Sequence, residues 1–304
     1  MESTHRPSRG SRAVVLGGGG ATGIAWEVGL LIGLLDAGVD LARADAIFGT
    51  SAGSFAGTHL ASPSSLSEHY EQQFSLDAFE ISVTMSSEIR QEWADAIAQG
   101  NGDARLIAKG LGALALRAVT ISPHDRLRVV AGRLGRETWP TGPLTMTAVD
   151  AESGELVVFD KNSGVPLVTA AAASGSVPGV WPYVEALGRK FIDGGVCSPA
   201  NAFLAASFER IVVIAPTTRG MDGRNIVGEE IDALRGHSQV ALIEPDDDTR
   251  AAIGGNVFDP TVRGPVAEAG RRQGQAVADA IRDLWMASAE GESEAPVTPA
   301  PPSA

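Results

Sequence analysis

Two glycine-rich turns, each set between a short apolar run and a helical pattern, leave few folds open to this chain. The first is Gly18-Gly19-Gly20-Ala21-Thr22-Gly23, which follows an apolar run at residues 13–17. Ala25, Val28, Leu31, Ile32 and Leu35 then recur at the spacing of one helix face. The second is Gly49-Thr50-Ser51-Ala52-Gly53, preceded by an apolar segment at 45–48 and followed by a helical stretch from Ala52 to Ala61. Two consecutive strand-turn-helix units predict an α/β core with parallel strands.

Beyond Ala61 the pattern changes. Residues 63–133 read as mostly helical, with breaks at Gly100-Asn101-Gly102 and at Ser122-Pro123, and are expected to form an inserted helical region over one side of the site. Residues 144–149 and 155–159 alternate around Glu152-Ser153-Gly154, a hairpin signal. Strands are expected at 189–193, 211–215 and 240–243, and a long helix at 262–286. One hydrolase-sized domain is thus expected over 13–287. Residues 1–12 and the Ser/Glu/Ala/Pro-rich stretch 288–304 offer too little apolar surface to offset the entropy of ordering, and are expected to be disordered.

Composition removes several partners. A formal net charge of -13 argues against nucleic acid, whose phosphates are bound mainly by clustered Lys and Arg. It also removes polybasic attraction to anionic membranes, so any transient contact with a membrane surface would rest on an apolar patch or pocket. Cys197 is the only cysteine, which rules out an internal disulfide and suits a reducing compartment. The start of the chain lacks the apolar stretch of a secretory signal, and no run approaches the ~18 apolar residues of a membrane span. A cytoplasmic location is the expectation, with signal-less secretion left open. No His, Asp or Glu cluster has metal-ligand spacing, and nothing calls for a cofactor.

Ser51 sits at the centre of Gly-x-Ser-x-Gly between a strand and a helix. Such a turn lifts a hydroxyl out of the backbone, and the following helix aims its N-terminal amides at the same place. The first glycine loop also fits a dinucleotide fingerprint, but that fold needs an acidic side chain ending the second strand. Here that strand ends in Phe48-Gly49-Thr50-Ser51, and Asp40 precedes it. The remaining use of such a loop is an oxyanion hole. Asp193, at a strand end before Gly194-Gly195, supplies a carboxylate. The chain order also permits a Ser51, Asp193, His237 triad of the α/β-hydrolase kind, although only two strands precede Ser51. A lipid-binding module without turnover is a third reading.

Gly-Gly-Gly-x-x-Gly, Gly-x-Ser-x-Gly within about thirty residues and a distant Asp-Gly-Gly together resemble the patatin-like phospholipase family. Residues 173–182, Ala-Ser-Gly-Ser-Val-Pro-Gly-Val-Trp-Pro, are similar to the family's segment before the Asp-Gly turn. The resemblance implies a three-layer α/β/α fold with a mainly parallel central sheet and a serine-dependent lipid acyl hydrolase cleaving carboxylic esters of lipids or phospholipids. It implies Ser51 as nucleophile and Asp193 as base. Gly18, Gly19, Gly20 and the Ala52 amide would form the oxyanion hole, with Gly23, Gly49, Gly53, Gly194 and Gly195 supporting the motifs. Thr22 stands where many members carry a basic residue, so phosphate recognition at that position is not implied.

Overall fold

The computed structural model describes residues 8–62, 65–75 and 80–286. The chain runs β1 (Ser8–Leu16), α1 (Gly20–Asp36), β2 (Ala46–Thr50), α2 (Ala52–Leu60), then four helices, α3 (Ser65–Gln72), α4 (Ser87–Gly100), α5 (Ala104–Arg117) and α6 (Pro123–Leu134). A hairpin of β3 (Leu144–Asp150) and β4 (Leu156–Phe159) leads to α7 (Leu167–Ser174), β5 (Val184–Ala186) and β6 (Arg189–Asp193). The chain continues through β7 (Phe208–Ile214), α8 (Ile226–Leu234), β8 (Gln239–Ile243), α9 (Asp247–Ile253) and α10 (Arg263–Met286). The strands form one sheet in the order β5-β6-β3-β2-β1-β7-β8, with β4 paired to β3. From β3 through β2, β1 and β7 to β8 every pairing is parallel, while β4, β5 and β6 add antiparallel contacts.

The period-two alternation of buried strands divides the core. Val14 and Leu16 face a layer built from α1, α2, α7 and α10, whereas Ala13 and Val15 face the opposite layer, with Val227 and Ile231 of α8. Val149 and Ile192 pack on Leu111 and Leu114 of α5, on the face away from Met146 and Ala148. The result is the expected three layers. Helices α1 and α10 approach closely because glycines face backbone: a Cβ on Gly29 or Gly33 would run into the carbonyls of Ala267 and Arg271, and one on Gly270 or Gly274 into those of Trp26 and Leu30.

The helical insertion falls where the sequence places it, and its breaks are capped. Asn101 takes left-handed φ after α4, Asp103 caps α5, and Ser122 caps α6 ahead of Pro123. One boundary needs correction. Residues 8–12 belong to β1, which begins at Ser8 opposite Phe208, and the Arg12 amide donates to Asp45 Oδ2. Pairing with β7 orders this segment despite its polar composition. Residues 1–7 and the 288–304 tail lie outside the described residues. Among the described residues, no helix is long and apolar enough to cross a membrane.

Candidate active site

The site is set by which strands share an edge of β3. Residues Met146 to Val149 pair with β4 on one edge. On the other edge β2 runs parallel up to Thr50 opposite Thr147, and β6 takes over antiparallel with Asp193 opposite Ala148. Two strands therefore meet head to head, each ending at the junction. The residue after β2 is Ser51 and the residue ending β6 is Asp193, so the register itself brings them together. Ser51 Oγ donates to Asp193 Oδ2 at 2.8 Å.

Ser51 has φ +52° and ψ -114°, a conformation that costs a non-glycine residue of order 1–3 kcal/mol and persists only where its surroundings hold it. Its amide donates to Ser174 Oγ at 2.9 Å, and Ser174 shares a further 2.6 Å hydrogen bond with Ser54. Gly53 is required by close approach: a side chain there would strike the Leu16 carbonyl, so α2 packs directly on the end of β1. Gly49 likewise lies against the backbone of Gly53 and Ser54.

Asp193 is held as firmly. Its Oδ1 accepts from the Gly195 amide at 2.7 Å, and its own amide donates to Ser176 O. A single 3-10 turn at Gly194–Val196 follows, in which a Cβ on Gly194 would meet Thr147. Asn201, in left-handed conformation, ties this turn to the end of β2 by donating to Thr50 Oγ1, Gly194 O and Ser198 O. Burial lifts the Asp193 carboxyl from its ordinary 3.8 to about 6, against the opposing hydrogen bonds from Gly195 and Ser51 and the charge of Arg126. Asp193 is thus a stronger base than a solvated aspartate, yet mostly ionised at neutral pH.

The glycine loop departs from expectation at one donor. The Gly18 amide is already spent on Pro199 O at 2.8 Å, so Gly18 is not an oxyanion donor in this arrangement. Gly18 instead brings the loop against Ser51: a Cβ at Gly18 would lie 3.4 Å from Ser51 Cβ. Among the described residues the amides of Gly19, Gly20 and Ala52 have no partner, which leaves three donors beside Ser51. Gly20 opens α1 with φ +64°, and Gly23 sits against the Ala52 side chain. Thr22 is buried, its hydroxyl turned to Gly19 O and Val257 O.

The triad alternative fails on topology. His237 precedes β8 and bonds Ala206 O, whereas Ser51 follows β2. Strands β2, β1, β7 and β8 are parallel, so these two residues lie beyond opposite ends of the strands, His237 at the amino ends and Ser51 at the carboxyl ends. Asp40 caps a short 3-10 turn and pairs with Arg43, a structural use.

A cleft of about 760 Å³ opens over the carboxyl ends of β1, β2, β7 and β8, the usual ligand crevice of an open α/β sheet. Ser51, Asp193 and the glycine loop form its floor, and Met85, Trp93, Val177, Ile253 and Phe258 give it apolar walls. Trp93 comes from the helical insertion and is fixed by its indole N–H donating to Pro178 O. Sequence reasoning did not single out Ser174, Asn201 or Arg126. Of these only Ser174 lay in a motif, within the 173–182 segment.

Comparison with solved structures returns distant likenesses. VipD from Legionella pneumophila aligns at 12% identity and TM-score 0.43, covering 92% of this chain and 69% of that one. The type III effector ExoU aligns at 17% identity and TM-score 0.41, covering 90% of this chain and 54% of its own. ExoU in complex with SpcU from Pseudomonas aeruginosa aligns at 18% and 0.43, covering 93% and 54%. The chain therefore spans about half the length of ExoU. No curated protein matches in sequence. A family model described as patatin-like phospholipase matches residues 14–206, the span from the middle of β1 past the Asp193 turn. The chain belongs to the patatin-like phospholipase family and is in general terms a lipid hydrolase.

Proposed function

We propose that the chain is a serine-dependent acyl hydrolase that cleaves carboxylic esters of lipids through Ser51 and Asp193 alone. The observation carrying this reading is the 2.8 Å hydrogen bond from Ser51 Oγ to Asp193 Oδ2 on the floor of an apolar cleft. Ser51 Oγ attacks the ester carbonyl carbon while its proton passes to Asp193. The carbonyl oxygen becomes an oxyanion facing the amides of Gly19, Gly20 and Ala52, one such donor typically contributing ~3 kcal/mol. Collapse of the tetrahedral intermediate breaks the bond to the alcohol, which leaves with the proton from Asp193. Water then loses a proton to the same carboxylate and attacks the acyl-serine; the acyl–Oγ bond breaks, Asp193 returns that proton to Ser51 Oγ, and the fatty acid is released.

The apolar walls suit an acyl chain better than a polar acyl group, which favours lipid esters over small acetyl esters. Labelling with a fluorophosphonate probe tests the reading. The expected result is stoichiometric modification of Ser51, with none in Ser51→Ala, and hydrolysis of a medium-chain nitrophenyl ester that tracks labelling. A folded protein that neither labels nor turns over would instead be a lipid-binding module.

A further inference from the structure

Arg126 on α6 is 2% exposed, and among the described residues no carboxylate forms an ion pair with it. Its guanidinium lies 4.1 Å over the Trp181 ring and its Nη2 donates to Gly175 O at 3.0 Å, while Nε and Nη1 are buried without a partner. A buried cation without an anion of its own is costly, and a stack on one indole offsets only part of that cost.

The backbone that Arg126 grips joins the two reacting side chains. Gly175 stands between Ser174, whose Oγ accepts from the Ser51 amide at 2.9 Å, and Ser176, whose carbonyl accepts from the Asp193 amide at 2.9 Å. Three consecutive residues thus hold the nucleophile, the arginine and the base. The approach is close: a Cβ on Gly175 would lie 3.2 Å from Arg126 Nη2. Arg126 also lines, with Ser51, Ala52 and Gly20, a small cavity of about 20 Å³ beside the nucleophile.

The charges around Arg126 are few. Arg133 on α6 and Arg263 on α10 both pair with Glu80, so their charge is met locally. Burial and the charge of Arg133 push the Arg126 guanidinium down to about 9, with the carboxylates of Asp193 and Glu80 opposing, so it stays cationic at neutral pH. In return, Arg126 holds the Asp193 carboxyl lower than burial would otherwise leave it, alongside the hydrogen bonds from Gly195 and Ser51.

We propose that Arg126 is a positioning residue for the dyad, clamping through Gly175 the tripeptide that holds Ser51 and Asp193 and serving as the buried counter-cation of the Asp193 carboxylate. The proposal rests on the hydrolase reading for its kinetic consequence. As Asp193 takes the serine proton, negative charge moves to the oxyanion beside Gly20 and Ala52, and Arg126 borders that position too. A lysine would keep the charge, but a single ammonium does not reproduce a planar group that stacks on Trp181 and donates to Gly175 O at once.

The test is the pH profile of kcat and kcat/KM on a neutral nitrophenyl ester in wild type, Arg126→Gln and Arg126→Lys. In Arg126→Gln the acid limb of kcat/KM should move from near 6 to about 7, because the carboxylate loses its cation. On the plateau kcat should fall roughly 10- to 100-fold as the tripeptide loosens. Arg126→Lys should keep the limb near 6 and recover only part of kcat. A merely structural arginine would lower kcat with the limb unmoved; that result, or a moved limb with full kcat, overturns the proposal and leaves the hydrolase reading standing. Should Arg126→Gln not fold, Arg126→Lys decides: a limb near 6 with reduced kcat supports the proposal, and a displaced limb or wild-type kcat overturns it. If wild type cleaves no ester, the hydrolase reading fails, and carboxyl-carbon NMR titration of Asp193, its signal identified by absence in Asp193→Asn, decides instead. A higher midpoint in Arg126→Gln than in wild type supports the pairing, and equal midpoints overturn it.

Discussion

The backbone amide of Ser51 donates to the side chain of Ser174, 123 residues further along the chain, at 2.9 Å. This bond holds a positive-φ serine in place using a residue from the last turn of α7. Ser174→Ala leaves that amide buried without an acceptor, at a cost of about 1–3 kcal/mol. The expected outcome is a lower melting temperature and a loss of about tenfold or more in kcat, read by calorimetry and ester hydrolysis, with KM less affected.

Ionised Asp193 carries a stability cost. Its carboxyl is lifted from 3.8 to about 6 in the folded state, so ionising it opposes folding. The sign follows directly: the cost is absent below about pH 4, grows between pH 4 and 6, and is complete above. At ~1.4 kcal/mol per pKa unit, a gap of about two units is about 3 kcal/mol. Asp193→Asn is therefore expected to be the more stable protein at pH 8 by about 1–3 kcal/mol, with the difference closing by pH 4. Denaturant melts at the two pH values measure it.

His59 and His69 stack at 3.6 Å in a buried site faced by Arg133, Arg136 and Arg263. Burial and the charges of Arg263 and Arg133 lower His69 from 6.5 to about 4, and burial with the charges of His69 and Arg136 lowers His59 to about 2. Both are neutral in the folded protein, so the unfolded chain takes up protons first. Stability supplied by the pair is full above about pH 6.5 and declines as pH falls toward 4 and below. His69→Gln should flatten the decline between pH 6.5 and 4 in denaturant melts, while the wild type weakens across it.

The contact between α1 and α10 depends on absent side chains. Gly29→Val places a branched side chain against the Ala267 carbonyl, and the helices must separate. A loss of several kcal/mol is expected, beyond ordinary overpacking, because backbone cannot yield as a rotamer can. Circular dichroism melts should show it, with Gly38→Ala, a position with open space but φ +83°, losing far less.

Local patterns made much of this structure legible. The strands around both glycine turns, the insertion and its breaks and the β3–β4 hairpin follow from short segments whose chemistry is local, whereas the pairing of Ser51 with Asp193 is an expectation from the family resemblance. What escaped was long-range. Helix α7, buried all round through Ala170 to Ser174, has no amphipathic period to read. The Gly18 amide looked available because its acceptor, Pro199 O, is remote in sequence. His237 fitted by chain order and failed because parallel strands place it at the amino ends, away from Ser51 at the carboxyl ends. Arg126 gave no signal, since an arginine on a polar-looking helix reads as solvated until packing buries it.

Whether Asp193 alone activates Ser51 is tested most directly by the pH dependence of kcat/KM on a neutral nitrophenyl ester, in wild type, Asp193→Asn and His237→Ala. The expected wild-type profile falls through a single ionisation near 6 as the base is protonated. Asp193→Asn should lose about 10²- to 10⁴-fold, and His237→Ala should overlay the wild type. Wild-type rates in Asp193→Asn, or loss of activity in a folded His237→Ala, would contradict a serine activated by aspartate alone.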